Sequence, residues 1–174
     1  MIEITDDYIK DGQLDREALV KFGADAVAFE SDRIVFKTDV DFYECDSLTS
    51  VSGVTFNRYV AFLHCRSLSS VAGAAFKGNV DFSWCYSLTS VEGATFNGNV
   101  EFRDCDSLAS VDGAVFNSDV EFLFCDSLVS VSGATFNGKV IFNNCDSLAS
   151  VFGATFKLGF KAYSCPNLKQ EGIK

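Results

Sequence analysis

Val100-Glu101-Phe102-Arg103-Asp104-Cys105-Asp106-Ser107-Leu108-Ala109-Ser110-Val111-Asp112-Gly113-Ala114-Val115-Phe116-Asn117-Ser118-Asp119 decides the fold, because the stretch recurs with little change every 20 residues on either side. Cysteine stands at Cys45, Cys65, Cys85, Cys105, Cys125, Cys145 and Cys165, a constant step of 20. Phe36, Phe56, Phe76, Phe96, Phe116, Phe136 and Phe156 keep the same step, as do Val40 to Val140, with Phe160 ending that column. Further columns run from Phe42 to Phe142, Leu48 to Leu168, Val51 to Val151 and Gly53 to Gly153. Thirteen of the 18 phenylalanines fall in two of these columns, so the aromatic content is a product of repetition. The unit V-x-F-x-x-C-x-S-L-x-S-V-x-G-x-x-F-x-x-x occurs in roughly seven copies from Phe36 onward, which marks a repeat architecture.

A unit of 20 residues cannot enclose a core, so its apolar positions must be buried against the same positions of the units above and below. The sequence therefore predicts a mainly β, right-handed solenoid. Val-x-Phe puts both side chains on one face of an extended segment, because alternate strand residues point the same way. Stacked strands would form a parallel sheet and a rod roughly 30–35 Å long. The three-residue spacing in Cys-x-x-Leu-x-x-Val fits no continuous strand and implies a bent second side. Glycine in each unit suits a corner with positive φ or close backbone approach, and Asn97-Gly98 and Asn137-Gly138 read as tight turns. Ser47, Ser50 and their equivalents read as turn and coil-to-coil contacts rather than nucleophiles.

Residues 1–35 break the period and are expected to cap the solenoid that runs over 36–168, with 169–174 as a polar C-terminal tail. Leu14, Ala18 and Phe22 share a face, acidic residues precede Lys21, and Gly23 follows, which together predict a short capping helix. The 174 residues carry a net charge of −10, which argues against a nucleic-acid binder that works by neutralising phosphates. The acidic start, Met1-Ile2-Glu3-Ile4-Thr5-Asp6-Asp7, lacks the features of a secretory signal, and no apolar run is long enough for a membrane span. A cytoplasmic protein without membrane association is the expectation.

Phe102-Arg103-Asp104-Cys105-Asp106-Ser107-Leu108 and its equivalents resemble the signature strand of leucine-rich repeats in its cysteine form. The run Phe-x-x-Cys-x-Ser-Leu-x-Ser-Val is similar to the bacterial, Treponema-like surface-antigen type. The resemblance covers residues 36–168. It implies a protein-binding scaffold. The family's usual prolines are absent and Phe replaces Leu at two positions, which keeps a right-handed β-helix or a relative of the pentapeptide-repeat solenoids open.

The cysteines lack C-x-x-C spacing and would point inward along one column, so they read as packing groups rather than as disulfide or metal ligands. A single histidine excludes a His cluster; no metal and no cofactor is expected. The positions that escape the consensus are more informative. One column reads Asp41, Ala61, Asp81, Glu101, Glu121, Ile141; the pairs before each cysteine read Tyr43-Glu44, Leu63-His64, Ser83-Trp84, Arg103-Asp104, Leu123-Phe124 and Asn143-Asn144. Tyr43, Leu63, His64, Trp84, Leu123 and Phe124 are expected to form an exposed patch rimmed by Asp81, Glu101 and Glu121, a composition suited to binding a protein partner. Two other readings stay open: the acidic rod imitates DNA toward a DNA-handling enzyme, or the carboxylates, about 5 Å apart on adjacent coils, hydrolyse carbohydrate. With one histidine and no evident nucleophile, the expectation is a non-enzymatic protein.

Overall fold

A computed structural model describes residues 1–169, so the expected tail lies, apart from Lys169, outside the described residues. The chain is a mainly β solenoid with one short helix. Two eight-stranded sheets run along it, one built from the Val-x-Phe segments and one from the segments that end on the other Phe column; neighbouring strands are parallel except for Val27–Glu30, antiparallel to Arg33–Phe36 at the end of the second sheet. Register advances residue for residue from coil to coil: Val100 pairs with Val120, Phe102 with Phe122 and Phe116 with Phe136. The third side is the bent one that the Cys-x-x-Leu-x-x-Val spacing implies. It holds turns and a single ladder of bridges, Ser50 to Ser70 through Ser130 to Ser150.

The core is the set of columns. From Phe36 to Phe156 successive rings stack at 4.8–5.2 Å. The Phe42 to Phe142 column stacks at the same spacing, and the two columns meet edge to face, as between Phe96 and Phe102 at 6.3 Å. Those are the arrangements that ring quadrupoles favour. Each fully buried phenylalanine contributes about 1.5–3 kcal/mol by leaving water.

Two corners need the left-handed backbone. At Gly53 through Gly153 φ lies between 63° and 84°. At the residue before each cysteine (Glu44, His64, Trp84, Asp104, Phe124, Asn144 and Ser164) φ lies between 50° and 63° although none is glycine. That corner swings the cysteine inward. The Phe82 carbonyl accepts from Cys85 N at 3.2 Å and from the Cys105 thiol of the next coil at 3.1 Å. The same thiol bond recurs from Cys45 to Cys145 at 2.7–3.5 Å. Cysteine thus supplies a donor within an otherwise apolar core. On the third side the hydroxyls of Ser50 to Ser150 accept from the backbone N–H two residues on, at 3.0–3.2 Å. The serine expectation holds for that column; no such bond is made by Ser47.

Asn97-Gly98 and Asn137-Gly138 differ from expectation. Neither glycine has positive φ; both lie where a Cβ would overlap the backbone of the coil beneath. The requirement there is close approach.

The N-terminal segment does more than cap. Ile2–Glu3 pairs in parallel with Val40–Asp41, so it forms the first strand of its sheet. The chain then reaches the helix Arg16–Leu19, capped by the Asp15 carboxylate on the N–H groups of Glu17 and Ala18. A hairpin, Val27–Glu30 with Arg33–Phe36, leads into the second sheet. Leu14 and Leu19 are buried at this end of the core.

Candidate functional site

The outward positions of the first sheet and the corner after it carry the residues singled out by sequence. Alternation along Val40-Asp41-Phe42-Tyr43 sends Val40 and Phe42 inward and leaves Asp41 and Tyr43 outside. The left-handed corner residue follows. Tyr43, 54% exposed, lies edge-on to His64 with ring centres 6.1 Å apart. His64 in turn stacks on Trp84 at 4.5 Å with the planes 2° apart. Both of those rings are half-buried because each covers the other. Leu63 is also half-buried. Phe124 stands one coil beyond Asp104 and is 42% exposed.

Leu123 requires correction. It is 8% exposed and offers little surface to a partner. It sits in the ladder between Arg103 and Asn143 on the neighbouring coils. Ser83 is buried for a related reason: its hydroxyl and its N–H both donate to Asp81, at 2.6 and 2.8 Å. The patch therefore divides into a Tyr43–His64–Trp84 row and a separate Phe124.

The acidic column is partly committed to its own coil. Asp81 accepts from Ser83, and Glu101 pairs with Arg103 at 3.0 Å, an exposed pair of small energetic worth. Glu121 is exposed. Asp81, Glu101 and Glu121 border an open groove of about 360 Å³ that Tyr59, Asn79, Asn99 and Asp119 also line. Burial, and then the charges of Asp81, Asp41, Glu101 and Asp39, push the Tyr59 phenol above its ordinary range. Sequence reasoning passed over Tyr59, Asn79 and Asn99. The signal for Asn79 and Asn99 was the column before the Val, which is Asp39, Asn79, Asn99 and Asp119 and is interrupted by Tyr59 and Lys139: Asn79 accepts Asn99 N–H at 2.9 Å and Asp119 accepts Lys139 N–H at 2.8 Å, tying coil to coil. Tyr86, exposed and two residues beyond Trp84, was passed over as well.

Four of the buried thiols hold their protons above the ordinary cysteine range. Burial pushes Cys85 and Cys105 upward; at Cys65 and Cys145 a bond to the neighbouring thiol, and then burial, does the same. All seven cysteines are free, and Cys165 alone among them is partly exposed.

Comparison with protein-family models, with curated proteins and with solved structures finds no match to this chain.

Proposed function

We propose that the protein is a non-catalytic recognition scaffold that binds another protein through the row of Tyr43, His64 and Trp84 at the end of the first sheet, with Phe124 as a second contact. The observation that carries this reading is the stacked His64–Trp84 pair on positive-φ backbone. A left-handed corner is cheapest with glycine or asparagine, so bulky aromatics there cost conformational energy and gain nothing inside the core. Rigid, half-buried aromatics beside carboxylates are the make-up of binding hot spots. The intracellular setting expected from the sequence belongs to the same reading.

Affinity capture from the native host, with wild-type, Trp84→Ala and Phe124→Ala chains as parallel baits, tests it. A specific partner should be retained by wild type and lose about 1–2 kcal/mol of binding with Trp84→Ala. A partner that binds all three baits alike places the interface elsewhere.

A second reading, imitation of nucleic acid, is supported by the acidic groove along Asp81, Glu101, Asp119 and Glu121. Its partner would be a basic protein released steeply between about 0.05 and 0.3 M salt, whereas an aromatic contact would respond weakly. Capture across that salt range separates the two.

A further inference from the structure

We propose that the chain stacks head to tail on a second copy of itself, with Phe160–Tyr163 of one copy pairing in parallel with Ile2–Glu3 of the next. The two strands are the opposite edges of the same sheet. Throughout that sheet the inward residues donate to the coil that follows: Ile4 N to Asp41 O at 2.8 Å, Phe82 N to Glu101 O at 2.9 Å, Val120 N to Lys139 O at 2.9 Å. The equivalent groups of Phe160 and Ala162 have no further strand beyond them among the described residues, and neither has the outer edge of Ile2–Glu3. An edge of unpaired donors and acceptors is a template for another strand.

The register selects the partner. The outward column begins at Glu3, opposite Asp41, and ends at Lys161, opposite Ile141. Continuing the same register into a second copy sets Glu3 beside Lys161 and Ile2 over Phe160. All three flanking conditions agree. Lys161 and Glu3 are exposed. Residues 1–32 hold nine carboxylates against three basic side chains, whereas residues 147–169 hold no carboxylate and carry Lys157, Lys161 and Lys169. Phe156, Phe160 and Leu168, equivalents of fully buried positions, are only half-buried in the last coil. Leu14 and Leu19 close the core at the acidic end, so the copies would join through the sheet edge and the charged rim rather than through one continuous core. A tail-to-tail pair would set lysines against lysines. Because the two joined surfaces differ, the contact does not close at two copies and extends into linear oligomers.

Sedimentation velocity of the untagged full chain, over about 1–200 µM, tests this. The weight-average mass should rise with concentration without a plateau at the dimer. Lys161→Glu and Glu3→Lys, both exposed changes checked for retained circular dichroism, should each weaken association about five- to ten-fold. The double variant Glu3→Lys/Lys161→Glu should restore it, as should an equimolar mixture of the two single variants, which damage to folding would not mimic. The proposal is overturned by a chain that stays monomeric throughout, or by a dimer plateau indifferent to Glu3→Lys. It is equally overturned if only a chain lacking residues 170–174 assembles, since that segment would then occupy the edge.

Discussion

At the scale of the residue, the column of cysteines combines two properties that other side chains do not offer together: small apolar volume and one weak donor. The carbonyls of Phe42, Phe62, Phe82, Phe102 and Phe122 each accept the thiol of the next coil, as Phe82 accepts Cys105 at 3.1 Å. Cys105→Ala is therefore expected to destabilise the fold by about 1–3 kcal/mol, from the lost donor and the lost volume, measured by urea titration. Thiol labelling of the native protein should modify Cys165 first, with the six buried thiols reacting only on unfolding; rapid native labelling of Cys85 would contradict their burial. The residue before each cysteine makes the opposite compromise. Phe124 has φ 55° and an exposed ring, so Phe124→Gly should leave stability unchanged or raise it by about 0.5–1 kcal/mol while removing a contact surface. A melting temperature that is unchanged or raised, accompanied by lost partner binding, is the expected pair of readings.

At the scale of the element, one coil is held to the next by register, by ring stacking and by side chains that reach one coil back. The two kinds of glycine separate cleanly here. Gly93 has φ 64° and open space around its missing Cβ, whereas Gly98 has an ordinary φ and no room, lying against the backbone of Gly78. Gly93→Asn should be tolerated, since asparagine adopts the left-handed conformation readily. Gly98→Asn should cost about 1–3 kcal/mol, because the coil spacing has to open. Thermal melts of the two variants decide this, and equal losses would remove the distinction. The close approach is local to the coils that carry glycine there, since the equivalent Ser118 has a side chain whose hydroxyl donates to Asn99 at 2.6 Å on the coil below.

At the scale of the whole molecule, repetition stacks like charges. Burial, then the charges of Asp126 and Asp104, raise the Asp106 carboxyl above its ordinary range; burial, then Glu3, do so for Asp41. In the folded state these groups take up protons before they do when unfolded. Stability therefore increases as pH falls through their folded values and levels off near the unfolded value of about 4. The raised thiols act at the other limit. Below about pH 8.5 both states keep the thiol proton, and above it the unfolded chain loses protons that the folded chain retains, so stability declines. Urea midpoints should accordingly rise modestly as pH is lowered from neutrality toward about 4, fall above about pH 9, and show a smaller acid gain in Asp106→Asn. A midpoint that drops on mild acidification would mean that favourable carboxylate contacts outweigh the repulsion.

Much of this architecture was legible in the residues themselves. The step of 20 in Cys, Phe, Val and Gly led to stacked coils, parallel strands and a bent third side, because a short unit has no other way to bury its apolar column. The short helix was legible from the acidic residues ahead of Lys21 and from Gly23, since end signals are a local matter, although the α-helix ends at Leu19 and Val20–Phe22 tightens to a 3-10 turn before Gly23. Other features depended on neighbours that are distant along the chain. Leu123 is covered, Ser83 is spent on Asp81, Glu101 is paired with Arg103, and His64 lies flat on Trp84. The candidate surface changed accordingly, from a broad patch to a narrow aromatic row. The periodic pattern by itself determined which side chains point inward, because alternation and repeat length dictate that. Only the tertiary structure decided which outward side chains remain free, because that depends on the lateral spacing of coils and on the left-handed corner that aims each residue at its neighbour.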